Sequence, residues 1–107
     1  MGDRVSISFR KGNEESVVLF SHWQGYGFAE KALDYADRLR DKNGNNEVIY
    51  PLDRLEPNTV MVDFIRHVTK DLRRVESDLY LASNQNEGDN SDNGHFVIDL
   101  DSIEIVR

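Results

Sequence analysis

Cysteine is absent from these 107 residues. That excludes disulfides, thiolate metal sites and a cysteine nucleophile, so neither stability nor chemistry rests on sulfur. Proline is scarce, with only Pro51 and Pro57 to interrupt the pattern of apolar residues. No run approaches the roughly 20 apolar residues of a membrane-spanning helix. Met1-Gly2-Asp3-Arg4 leads into an alternating segment instead of the apolar stretch of a secretory signal. A cytoplasmic chain without membrane contact is therefore expected. Lys and Arg are missing from Glu76 to Val106, where eight acids stand (Glu76, Asp78, Glu87, Asp89, Asp92, Asp99, Asp101 and Glu104). With a formal net charge of −7, such a surface repels phosphate backbones, and direct nucleic-acid binding is not expected.

What is present suits one folded domain over residues 1–107, since 38% of the residues are apolar and recur periodically. Val5-Ser6-Ile7-Ser8-Phe9 alternates as a half-buried strand does, and Lys11 to Glu15 supplies a turn into a denser apolar strand over residues 16–22. After Gly25-Tyr26-Gly27, the residues Phe28, Ala29, Ala32, Leu33, Ala36 and Leu39 recur at helical spacing. Asn43 to Asn46 ends that helix, and Val48-Ile49-Tyr50 reads as a short edge strand before Pro51. Pro57 opens a second helix, running to about residue 74, with a stripe of Val60, Phe64, Val68, Leu72 and Val75 widened by Met61 and Ile65. Strands are predicted over residues 78–83 and 95–100, with residues 103–106 extending or following the last. The expected architecture is α+β, an antiparallel sheet of about four strands with two helices on one face in the order ββααββ, and a mobile polar loop near residues 84–94.

Four segments carry residues capable of chemistry. Ser21-His22-Trp23-Gln24-Gly25-Tyr26-Gly27 gathers a candidate base or ligand (His22) and two rings that wall a binding surface (Trp23, Tyr26). A tight turn whose aromatics close the core explains the same residues. Ser21 and His22 point to opposite sides of a strand and form no nucleophile pair by themselves. The Asn84–Gly94 segment is rich in oxygen donors, and Asp89, Ser91, Asn93 and Gly94 follow the opening spacing of a calcium loop. Leu100 at the twelfth position breaks the match, which favours a solvated hairpin loop. Arg66, Lys70, Arg73 and Arg74 share one helix face within an arc of about 100°, a distribution that complements the helix dipole and the acids that follow. Asp99 and Asp101, with Asp92 and His95, offer carboxylates and an imidazole to a metal-assisted hydrolase, or simply a solvated sheet face. No metal and no cofactor is expected; Asp89, Asp92, Asp99 and Asp101 are the candidate ligands should one bind.

The opening hairpin, His-x-x-Gly-Tyr (His22, Gly25, Tyr26), the following helix and a late strand of alternating acidic and apolar residues resemble a loose group of small phage, plasmid and archaeal proteins. In that group Asp-Gly-Tyr-Pro is expected after the histidine, where this chain has Gln24 and Gly27 around Gly25-Tyr26. The resemblance implies a compact α+β fold and brings no activity with it.

Because no catalytic motif is complete, a non-enzymatic binding or regulatory module is expected, with catalytic residues none and binding residues His22, Trp23 and Tyr26. Its partner is another protein or a second copy of itself. Phe9, Val17 and Leu19 are candidates for the apolar face of a homodimer. One alternative is a small metal-dependent hydrolase with His22, Tyr26 and His95 in one cleft. Another is an acidic decoy that mimics nucleic acid.

Overall fold

The computed structural model describes residues 3–40, 56–70 and 79–106. Its elements follow in the order β1 (Val5–Lys11), β2 (Glu14–Glu15), β3 (Val18–Ser21), α1 (Tyr26–Arg40), α2 (Pro57–Thr69), β4 (Leu79–Ala82), β5 (His95–Asp99) and β6 (Glu104–Val106). The six strands make one sheet in the order β4-β3-β1-β5-β6, with β2 attached to the end of β1. The α+β class holds. The expected antiparallel sheet of about four strands does not, because β5 runs parallel to β1, pairing Ser6 with His95 and Arg10 with Asp99.

The reason lies in the 83–94 segment, which is a crossover and not a hairpin loop. Between Ala82 and His95 stand 12 residues, a reach of up to about 40 Å. That spans a lateral step of three strands, about 14 Å, together with the roughly 16 Å needed to return to the start of a parallel neighbour. The crossover lies over the sheet face opposite the helices, where Gly88 sits on the ring of Phe20.

β1 is central, and its two-residue period sorts the molecule into two layers. Val5, Ile7 and Phe9 face the helices and are fully buried with Leu19, Phe96 and Ile98. Against them α1 sets Phe28, Ala29, Ala32, Tyr35, Ala36 and Leu39, while α2 sets Val60, Met61 and Phe64. The aromatic rings meet edge-on, Phe9 against Phe64 at 5.5 Å and against Tyr35 at 6.2 Å, the arrangement their quadrupoles favour. The buried Asp63 on α2 accepts hydrogen bonds from the Tyr35 hydroxyl and from Arg66 Nε at 3.0 Å, which pins α1 to α2. Phe9 and Leu19, expected as part of a homodimer face, are thus spent in this core, and Val17 packs against its margin. The expected helix end at residues 43–46, the strand at 48–50, and Leu72, Arg73, Arg74 and Val75 lie outside the described residues.

The other layer begins with a row across four strands, Tyr80, Phe20, Ser6 and His95, set side by side by register. Its left half is apolar. Phe20 and Tyr80 stack at 4.9 Å with planes 5° apart, and the Tyr80 hydroxyl accepts the Asp89 amide at 2.8 Å. Its right half is polar.

Gly88 leaves no room for a side chain, since a Cβ there meets Phe20 Cε2 at 2.6 Å. Gly88→Ala is therefore expected to lower unfolding free energy by ~1–3 kcal/mol, measured by urea denaturation. An unchanged midpoint would mean that the crossover does not press on the sheet.

Candidate functional site

Between β2 and β3 the ladder slips. Arg10 faces Glu15 and Ile7 faces Leu19, so two residues of β1 (Ser8 and Phe9) oppose three on the other side (Ser16, Val17 and Val18). This is a β-bulge, which re-aims the side chain beside it. Ser16 holds the bulge, giving its amide to the Phe9 carbonyl at 2.8 Å and accepting the Phe9 amide on its hydroxyl at 2.9 Å. Without the extra residue, alternation back from Phe20 and Val18 would turn Glu15 toward the helices. With it, Glu15 joins Ser6, Ser8 and His95 on the opposite face.

There the four side chains and Asn90 of the crossover form one chain of hydrogen bonds. Asn90 Nδ2 lies 2.8 Å from Ser6 Oγ, which lies 2.7 Å from His95 Nδ1. On the other side of the ring, His95 Nε2 is 3.2 Å from Ser8 Oγ, which is 2.6 Å from Glu15 Oε2. Proton counting gives the chain a direction. The Glu15 carboxylate only accepts, so the single hydroxyl hydrogen of Ser8 goes to Glu15 and Ser8 must accept from His95 Nε2–H. A neutral ring then accepts at Nδ1 from Ser6, and Ser6 in turn accepts from Asn90. Every buried member is satisfied, as a buried polar network requires, while Glu15 at the end of the chain is partly exposed.

The neutral ring is what burial favours. The His95 side chain is 6% exposed; desolvation holds its pKa below the ordinary value, outweighing the opposite pull of Glu15. Ser6 and Ser8 are fully buried as well. A hydroxyl in that position has no open approach for a substrate, so the serines act as links of the relay and not as exposed nucleophiles.

The other sequence-derived candidates fall into separate groups. His22 lies between Trp23, at 6.1 Å, and Tyr80, at 5.3 Å between ring centroids. The turn that carries them is held by the buried Ser21 hydroxyl, which accepts the amides of Trp23 at 3.3 Å and Gln24 at 3.2 Å. Gly25 takes φ +63° and donates its amide to the Asp3 carbonyl at 2.8 Å, so what approaches its backbone is the chain's own Asp3. Tyr26 packs edge-on against Phe96 at 5.0 Å. His95 belongs to the relay instead, and the cleft that it borders has no lining from His22 or Tyr26.

The acids named as candidate metal ligands are each bound to a cation of β1 or its approach. Arg4 holds Asp89 at 2.7 Å and Asp92 at 2.9 Å, Arg10 holds Asp99 at 2.6 Å, and Lys11 holds Asp101 at 3.1 Å. The Arg10 hydrogen bond keeps the Asp99 carboxyl below the usual carboxylate range. Asp99 closes β5 and accepts the amides of Asp101 and Ser102, so Asp101 stands in the turn to β6 and not on the strand. Among the described residues no three His, Asp or Glu side chains converge as a metal centre, and no helix is long and apolar enough to cross a membrane.

Ser6, Ser8, Glu15 and Asn90 escaped sequence reasoning. The signal was present in part: the polar positions of β1 are small hydroxyls where a solvated strand face carries Lys, Glu or Thr. Comparison with protein-family models, curated proteins and solved structures finds no match. The chemistry of this site therefore rests on its own geometry.

Because the folded chain disfavours the imidazolium while the unfolded chain takes a proton at the ordinary value of 6.5, stability is full above that value and falls as pH drops through it. His67, also lowered by burial, adds in the same sense. Urea midpoints are expected to fall between about pH 7 and about pH 5, with a shallower fall in His95→Gln. An equally steep fall in that variant would overturn the neutral buried ring. Ser8→Ala is expected to cost ~1–3 kcal/mol at pH 7 by removing the hydroxyl that accepts from His95 Nε2–H and donates to Glu15.

Proposed function

We propose that the chain is a non-enzymatic binding module that acts through protein–protein contacts, with the turn from His22 to Tyr26 as its recognition surface. The observation that supports this is the exposure of two large rings on a braced turn: Trp23 is 61% and Tyr26 45% exposed. Their backbone is fixed by Ser21, Gly25 and Asp3, so a partner meets a surface that is already ordered, which lowers the entropy lost on association. Trp and Tyr supply much apolar area with few rotatable bonds and dominate binding hot spots.

The same geometry weighs against the two alternatives. A hydrolase needs an accessible nucleophile or a metal centre, whereas the buried serines and His95 are bound to one another and the candidate acids to Arg4, Arg10 and Lys11. A nucleic-acid decoy needs unneutralised acids in a row, and Asp89, Asp92, Asp99 and Asp101 each have a cation within 3.1 Å.

The test is a backbone NMR spectrum of the whole chain at low and high protein concentration, repeated with zinc, calcium and magnesium. Shifts confined to residues 22–28 on concentration, lost in Trp23→Ser and unaffected by metal, are the expected result for self-association. A chain that stays monomeric would be examined by photo-crosslinking from position 23 to a protein partner. Metal-induced shifts at His95 accompanied by ester or phosphoester hydrolysis would sink the proposal.

A further inference from the structure

On the face opposite the helices, the bulge and the crossover leave a cleft of about 360 Å³, in the range of small-molecule sites. Glu15, Ser16 and Val18 from the bulge and His95 from β5 line one side; the other is the start of the crossover, Ser83 to Asn86. Three features of that lining define what fits it.

The first is charge. No Lys or Arg lines the cleft. The base nearest Glu15 along the sheet is its cross-strand neighbour Arg10, whose guanidinium is taken by Asp99 at 2.6 Å. With that guanidinium held by Asp99 and the His95 ring neutral, Glu15 is the one charged side chain in the lining, and the Glu87 carboxylate bonded to Ser83 adds to the negative side. An anionic ligand is disfavoured and a cationic one drawn in.

Hydrogen bonding is the second. Glu15 Oε2 accepts from Ser8, and among the described residues Oε1 accepts from no group. The side-chain amides of Gln85 and Asn86, both exposed, also make no hydrogen bond to the described residues. Glu15 Oε1 is an acceptor on this lining, and the Gln85 and Asn86 amides can each turn an oxygen to a bound donor, so a ligand whose positive group carries N–H donors is matched.

The third is the lack of rings. No aromatic side chain lines the cleft, and Val18 is its one apolar side chain. Quaternary ammonium groups are recognised by aromatic cages, and none is offered.

We propose that this cleft binds a small organic cation bearing N–H donors, a primary ammonium or a guanidinium group, with Glu15 as counter-ion and Gln85 and Asn86 as further acceptors. The site is separate from the Trp23–Tyr26 surface and stands or falls independently of it. Because Ser8 joins Glu15 to His95, occupancy of Glu15 is felt at the ring nitrogens, which supplies a reporter inside the protein.

The whole chain, with nitrogen-15 in its histidine rings and backbone, would be titrated with agmatine and with putrescine. Choline would serve as a cation without N–H donors and glycerol as a neutral hydrogen-bonding control. The expected result is saturable movement of the His95 Nε2 signal and of the amides of residues 83–86 with agmatine or putrescine, and no such movement with choline or glycerol. Glu15→Gln should weaken that binding ~10-fold or more. Gln85→Ala, an exposed change outside the relay, should weaken it by a few-fold while leaving the free-state His95 signals in place, and so guards against a folding defect. Choline matching agmatine, glycerol moving the same signals, or Glu15→Gln binding as tightly as the native chain would each overturn the proposal. A short arginine-containing peptide gives the last arm. Tighter binding than agmatine assigns the guanidinium to a partner's side chain, and weaker binding assigns it to a free amine.

Discussion

Everything in this molecule is referred to the alternation of β1. One strand at the centre of the sheet presents Val5, Ile7 and Phe9 to the helices and Ser6 and Ser8 to the crossover. A two-residue period cannot be shifted by one without exchanging the layers. Such a slip would place two hydroxyls among Phe28, Phe64 and Tyr35 and three large apolar groups over His95, losing burial energy and hydrogen bonds together. The register of the central strand is therefore defended from both sides. β3 and β5 inherit their orientation from it, and so do the helices above and the crossover below.

The second layer shows how a sheet face can be buried without a second sheet or another helix. The crossover supplies a Gly to sit on Phe20, an amide to meet the Tyr80 hydroxyl, and Asn90 to end the relay at Ser6. Arg4 then clamps it through Asp89 and Asp92. Those two pairs are partly solvated, so each contributes modestly to stability. Their main effect is positional, since they hold the crossover over the strand from which Arg4 extends. Four of the eight acids that looked like an unbalanced surface along the sequence are counter-ions of β1 and of Arg4 just before it.

Much of the fold was legible in the sequence, for identifiable reasons. Both helices were found because their apolar residues recur at helical spacing and a proline marks the start of the second. The alternation of β1 and a strand over residues 95–100 were read from a two-residue period, and the second ends at Asp99. The parallel pairing was not legible, because an Asn- and Gly-rich segment suits a hairpin as well as a crossover, and only the partner strand distinguishes them. Nor was the site. His95 was singled out as an imidazole, but its partners sit at positions 6, 8, 15 and 90, and local periodicity carries no information about such distances. The bulge at Ser16-Val17 is a count of residues across two strands, so Glu15's orientation is invisible until both are paired. The Trp23–Tyr26 turn was recognised from composition alone, since Trp, Tyr and Gly concentrate there.

The parallel pairing of β1 with β5 also has a temporal side. β1 finds its parallel neighbour only after a long stretch of intervening chain, for Ser6 lies opposite His95. During synthesis β1 can join β2 and β3, but its other edge stays open until the 95–99 segment has left the ribosome, and with it half of the polar face. Non-local pairing of this kind is slow, and an open central strand is a template for other chains. A chain that stops before β5 would thus expose the central strand of the sheet as an edge. Such a truncated product would offer the Ser6 and Ser8 edge of β1 to any chain able to pair with it, where the folded sheet offers it only to β5.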